Sequence, residues 1–168
     1  MGHMIQCFIG HSDIIQRIVS PLEGLKPVIF ELPQGLQGLF LCNYFCEAIY
    51  QRKNTDEDQA VIVEPFDFFD CTIKEYLEEI HPQGNFIYIE TEYFGGTGTQ
   101  TAGIFKDGFL TTTYKGSTTG IDVTNPYPER LLDEPINKAL RSLGVIRDND
   151  KDEFDTVGLP NHKYMPHI

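Results

Sequence analysis

The chain is poor in positive charge. Its 13 lysines and arginines face 25 aspartates and glutamates, for a formal net charge of −12 with the histidines neutral. A surface of that sign repels nucleic-acid phosphates, so direct DNA or RNA binding is not expected. The same surface attracts a basic partner and speeds its capture by electrostatic steering. Long apolar runs are missing too, and none approaches the roughly 18–20 residues that a membrane helix needs. The opening Met4-Ile5-Gln6-Cys7-Phe8-Ile9-Gly10 has no basic region before it, so a cytoplasmic location without a secretory signal is expected. Met1-Gly2-His3 reads as expression-vector residue ahead of a native start at Met4.

Cysteine is scarce. Cys7, Cys42, Cys46 and Cys71 sit in or beside apolar segments, where buried thiols are expected rather than disulfides. The Cys42–Cys46 spacing is wider than that of a zinc knuckle or a redox motif, and no second Cys/His pair completes four ligands. No metal and no cofactor are expected. Glu78-x-x-His81 occurs once, whereas carboxylate di-metal sites need two copies. The run 148–155 places Asp148, Asp150 and Asp152 as a calcium loop would, but has Glu153 where that loop needs glycine. Repeats, linkers and low-complexity tracts are absent. A single domain over residues 4–160 with a tail at 161–168 is the expected organisation.

What is present is a pattern of short strands and amphipathic helices. Residues 4–9 read as a first strand. Ser12-Asp13-Ile14-Ile15-Gln16-Arg17-Ile18-Val19 reads as a short helix with Ser12 or Asp13 as its N-cap. Lys26 to Gly35 looks like a strand broken by Pro33, and the run 36–53 mixes strand and helix character. Ala60 to Phe66 is expected to be a strand. Ile73, Tyr76, Leu77 and Ile80 share one face of a helix that Pro82 ends. Asn85 to Phe94 is the strongest strand, and Asp107-Gly108 is a hairpin turn. A further helix lies within Asp133–Val145, with Gly144 suited to its C-terminal cap. Together these give an α+β fold, a mixed but mainly antiparallel sheet with about three helices packed on it.

The most distinctive stretch is Tyr93-Phe94-Gly95-Gly96-Thr97-Gly98-Thr99-Gln100-Thr101-Ala102. A phosphate loop needs a lysine closing the glycines and a helix after them. Here no lysine comes before Lys106, and strand-like residues follow, so the glycines read as a bend between two strands. The pattern Tyr-Phe-Gly-Gly-x-Gly-x-Gln-x-Ala after an acidic strand resembles small bacterial proteins, some of which are similar to immunity proteins that protect a bacterium from a toxin. The resemblance covers about the C-terminal half. It implies a non-enzymatic protein whose partner is a cognate toxin, for example a nuclease with a basic cleft.

Candidate partner-binding residues follow from charge and position. In strand 86–94, Glu90 and Glu92 lie on one face about 7 Å apart. They are expected either to face solvent in ion pairs with a neighbouring strand or to meet a partner's basic side chains. Tyr93 and Phe94 supply anchoring area, and Gln100 stands in the bend. Glu64, Asp67 and Asp70 interleave with Phe66, Phe68 and Phe69, a mixture that anchors basic partners if exposed and builds a core and a helix cap if not. The alternative reading is a small hydrolase or transferase that uses His11 with Glu90 or Glu92.

Overall fold

The computed structural model describes residues 3–94, 97–117 and 124–162. Six strands form one sheet: β1 (His3–His11), β2 (Ile29–Leu32), β3 (Leu36–Phe40), β4 (Asn85–Phe94), β5 (Thr97–Lys106) and β6 (Phe109–Ser117). Their order is β2-β3-β1-β4-β5-β6, and every pairing is antiparallel. The helices are α1 (Ser12–Val19), α2 (Asn43–Lys53), α3 (Cys71–Ile80), α4 (Pro135–Ser142) and the single turn α5 (Glu153–Thr156). The α+β class holds, and the sheet is wholly antiparallel rather than mixed among the described residues.

Alternation along the central strands sends side chains to two separate cores. Phe8 of β1 and Phe86 and Tyr88 of β4 point to one face, where α1, α2 and α3 cover them with Ile15, Ile18, Phe45, Ile73, Tyr76 and Leu77. Ile5, Cys7 and Ile9, with Ile87 and Ile89, point to the other face, under Ile136, Ala139 and Leu140 of α4. Phe8 is the hub of the first core, with the rings of Phe45, Phe69, Phe86, Tyr88 and Phe105 between 5.0 and 6.5 Å away. Each such fully buried ring stabilises the fold by about 2–3 kcal/mol. The sheet therefore sits between two helical layers, and neither face of β4 is open through its middle.

Local chemistry explains most element ends. Asp70 caps α3 by accepting from the N–H groups of Thr72 and Ile73 at 2.8 and 3.0 Å. The turn between β5 and β6 takes Asp107 and Gly108 at φ 51° and 90°. Both values lie in the left-handed region that a tight two-residue hairpin requires. Pro33 ends β2, after which Gln34 and Gly35 turn the chain into β3. The ambiguous run 36–53 resolves into β3 followed by α2. Helix α1 begins one residue earlier than expected. His11 occupies its N-cap without a side-chain bond, so neither Ser12 nor Asp13 caps it.

One expected strand is absent. Residues 60–66 form an irregular excursion that touches strand structure only at the isolated bridge of Ile62 with Asp70. The chain folds back on itself instead of joining the sheet, through Val63 N–H to Phe69 O at 2.9 Å and Cys71 N–H to Val61 O at 2.8 Å. Pro65 has no N–H to offer a ladder. The bend at Gly95 and Gly96 and residues 163–168 of the expected tail lie outside the described residues.

Candidate partner-binding surface

The excursion from Thr55 to Asp70 is the chain's most acidic segment. Asp56, Glu57, Asp58, Glu64, Asp67 and Asp70 occur with no lysine or arginine between Lys53 and Lys74. A solvated segment of one sign is ordinarily loose, because its charges repel. This one is pinned from beneath. The carboxylate of Glu90 on β4 is buried and accepts three consecutive backbone N–H groups: Asp67 at 2.7 Å, Phe68 at 2.9 Å and Phe69 at 2.9 Å. The Tyr88 hydroxyl donates a fourth bond at 3.1 Å. Burial pushes the Glu90 carboxyl above its ordinary value, and these four donors pull against that rise.

Further anchors fix both ends of the excursion. Phe66 and Phe69 are buried, with ring centres 5.5 and 5.0 Å from Tyr88. Gly103 of β5 leaves room for this, because a Cβ there would stand 2.8 Å from Phe66 Cζ. Asp70, besides capping α3, accepts from the Tyr50 hydroxyl of α2. Lys115 of β6 reaches over to Pro65 O at 2.9 Å and Asp67 Oδ1 at 3.1 Å.

With the backbone held this way, three large apolar side chains face out. Val61 is 66% exposed, Ile62 44% and Phe68 40%. Around them Asp56, Glu57, Asp58, Glu64 and Asp67 are all exposed. Beside the turn that carries Asp56 and Glu57, an open hollow of about 570 Å³ is lined by Glu47, Tyr50, Gln51 and Asn54 of α2 and its cap. A neighbouring hollow of about 430 Å³ shares Glu47 and Gln51 and adds Glu23, Tyr44 and Lys26. The arrangement suits burial of a partner's apolar and cationic groups together.

The residues expected to bind a partner divide into three groups. Glu90 and Asp70 are buried and spent on internal hydrogen bonds, which takes them off the surface; Glu90 forms no ion pair with a neighbouring strand. Glu92 and Phe94 are exposed, the latter at 84%, on the Glu90 side of β4. Glu92 lies about 7 Å along the strand from the clamp, on the side where Asp67 is exposed. Tyr93 and Gln100 belong to the opposite face. Gln100 donates to the Tyr93 hydroxyl at 2.8 Å and accepts from Ile136 N–H of α4 at 3.3 Å, so it is a strut between sheet and helix. Val61 and Ile62 went unnoticed because they read as strand. The missing basic residues between Lys53 and Lys74 were the available clue.

Other chemistries find less support. Gln6 pairs with Glu90 and Met4 with Glu92, whereas His11 lies five and seven residues further along β1. That separation is about 16 and 23 Å, so no histidine–carboxylate site forms there. The glycine-rich segment leads into β5, not into the helix that a phosphate loop needs. Burial pushes the Cys7 thiol up and raises Cys46 to about 12, which holds both as inert thiols. Asp152 is buried and caps α5 instead of facing a calcium ion. Among the described residues no three His, Cys, Asp or Glu side chains are grouped to hold a metal, and no helix is long and apolar enough to cross a membrane. The chain matches no protein-family model, no curated protein and no solved structure.

Proposed function

We propose that the protein is an acidic binding protein that captures a basic protein partner through the excursion Thr55–Asp70 and the adjoining Glu92 and Phe94. The partner would be a toxin whose basic cleft is occluded, as in an immunity protein. The observation that carries this reading is the clamp of Glu90 on three successive amides. It fixes the backbone at Phe68. The bonds of Val63 N–H to Phe69 O and Cys71 N–H to Val61 O hold the stretch of chain that carries Val61 and Ile62, so that all three side chains face out among five exposed carboxylates. A surface ordered before binding loses little entropy on association. Apolar anchors then supply affinity, while the carboxylates set on-rate and register.

The test is co-expression with the product of the adjacent gene in the source genome, followed by calorimetry on the purified pair. Rescue from toxicity, one-to-one binding and affinity that falls with salt are expected. Phe68→Ser should weaken that binding at least tenfold while lowering stability by only about 1 kcal/mol, for the share of its ring that is buried. Absence of toxicity and of binding would remove the immunity reading; affinity independent of salt would remove its electrostatic mechanism.

A further inference from the structure

Helix α2 turns one side to solvent, along Tyr44, Glu47, Ala48 and Gln51, which recur at helical spacing. The two hollows beside the excursion lie on that side and share Glu47 and Gln51. They differ in charge. The hollow at Tyr44 contains a cation of this chain, Lys26. The hollow at Tyr50 is lined by Glu47, Asp56 and Glu57 and by no cation. Among the described residues, no lysine or arginine forms an ion pair with any of these three carboxylates. The two cations in the last turn of α2 are engaged elsewhere. Arg52 donates to Pro21 O at 3.2 Å and stands 3.5 Å from Glu79, and Lys53 pairs with Glu79 at 2.8 Å.

Negative potential reaches the floor of this hollow as well. Burial pushes the Tyr50 hydroxyl up, and its bond to Asp70 and the charges of Asp70 and Glu57 push it further. The C-terminal end of α2 adds partial negative charge at the same place. The walls are ordered before anything binds. Tyr50 is held by its hydroxyl to Asp70, and its carbonyl accepts from Thr55 N–H at 3.0 Å. The turn that carries Asp56 and Glu57 is closed by Gln59 N–H to Asp56 O and Ala60 N–H to Glu57 O, both at 3.0 Å.

We infer that the hollow at Tyr50 receives an arginine side chain of the basic partner, its guanidinium beside the Tyr50 ring and among the carboxylates of Glu47, Asp56 and Glu57. The inference rests on the reading of this chain as a binder of basic protein, and it deepens that reading by naming a residue type and its seat. Arginine suits the hollow better than lysine. Its planar fork bonds a carboxylate through two parallel N–H groups, keeps others for the side-chain oxygens of Gln51 and Asn54, and lays a flat face on an aromatic ring. Lys26 disfavours a cation in the second hollow, where Tyr44, Leu25 and Ala48 offer apolar contact instead. Asp56 and Glu57 belong to the excursion, so one partner meets the hollow and the outward apolar residues together.

The experiment titrates the isotope-labelled full chain with three probes: N-acetylarginine methylamide, its lysine analogue, and its citrulline analogue, which keeps the shape of arginine without the charge. The arginine probe should shift the amides of residues 50–57 saturably, the lysine probe should bind more weakly, and the citrulline probe should not bind. Glu47→Gln and Glu57→Gln should each weaken the arginine probe about threefold, the size of one exposed ion pair. Glu129→Gln, in the turn before α4, should leave its affinity unchanged. Equal weakening by all three variants would mean diffuse attraction to net charge and overturns the inference. Shifts that do not saturate, that lie outside residues 50–57, or that citrulline reproduces overturn it too. If the adjacent-gene product binds and the Glu47→Gln and Glu57→Gln variants keep its full affinity, the arginine seat is rejected while the reading as a binder stands. Saturable, charge-dependent binding of the arginine probe together with failure of that product to bind supports the seat and rejects the toxin partner.

Discussion

Replacing Glu90 with glutamine separates the clamp's geometry from its charge. The side chain keeps its length and one carbonyl oxygen, which still serves the N–H groups of Phe68 and Phe69 and the Tyr88 hydroxyl. The amide nitrogen takes the place of Oε2 and points an N–H at the N–H of Asp67, previously bonded at 2.7 Å. One part-buried donor is orphaned, for about 1–3 kcal/mol, and the remaining bonds lose their charge assistance. Removing a buried charge gives back part of this. The net expectation is a loss of about 2 kcal/mol, or about 1 M in urea midpoint for a slope near 2 kcal/mol/M. Glu90→Ala orphans all four donors and should cost about 4 kcal/mol unless water enters. Hydrogen exchange locates the effect: the amides of Asp67, Phe68 and Phe69 should lose protection in Glu90→Gln before those of β1. If the glutamine variant unfolds at the wild-type urea concentration with those three amides still protected, the clamp is not what orders the excursion.

Other perturbations probe the same architecture. Asp70→Ala removes the α3 cap and the Tyr50 contact and should cost about 2 kcal/mol, with Tyr50→Phe costing about half as much; equal midpoints for all three proteins would refute the role of Asp70. Gly103→Ala drives a methyl against Phe66 and Leu110, at 2.8 and 2.9 Å, and should destabilise by about 1–3 kcal/mol in thermal unfolding; an unchanged melting temperature would show that the ring moves freely. Burial raises the folded-state values of Glu90, Glu134 and Asp152 above their ordinary range. The folded state thus binds these protons more tightly than the unfolded state. That contribution is complete below the ordinary carboxylate range and is lost as pH rises through the raised values. Self-repulsion of a chain at −12 acts in the same direction. Through these three groups stability should fall as pH rises above the ordinary carboxylate range, and Glu90→Gln should flatten that fall in the urea midpoint; an unchanged pH slope in the variant would contradict the contribution of Glu90.

The sequence revealed those parts whose causes are local. The helix 71–80 was legible because an aspartate cap precedes residues at 3.6 spacing, and the 107–108 turn because Asp-Gly suits left-handed backbone. The two faces of β4 followed from alternation alone. What alternation did not reveal is that both faces are covered, so Glu90 looked like a solvent-facing or partner-facing carboxylate. Its true partners are amides more than twenty residues earlier, and no local pattern encodes that contact. The same contact explains the missing strand at 60–66. Apolar alternation there resembles a strand, but the amides just after it are taken by a side chain instead of a neighbouring ladder. Acidity of the excursion was legible, and its outward apolar residues were not, because their exposure follows from the chain folding back through Val63–Phe69 and Val61–Cys71 bonds instead of joining the sheet.

The clamp grips main-chain amides, and peptide N–H groups are the same whatever side chain follows. Residue 68 can therefore change identity without loosening the bonds to Glu90, whereas residue 67 also holds Lys115 through its side chain; nothing in Glu90's grip restricts what Val61 or Ile62 becomes. On the proposed function, scaffold and recognition would thereby be uncoupled: substitutions at Val61 and Ile62 would retune which partner is accepted while the bonds from Glu90 stay in place. A lineage facing a changing adversary would keep the carboxylate on β4 and let the outward side chains drift.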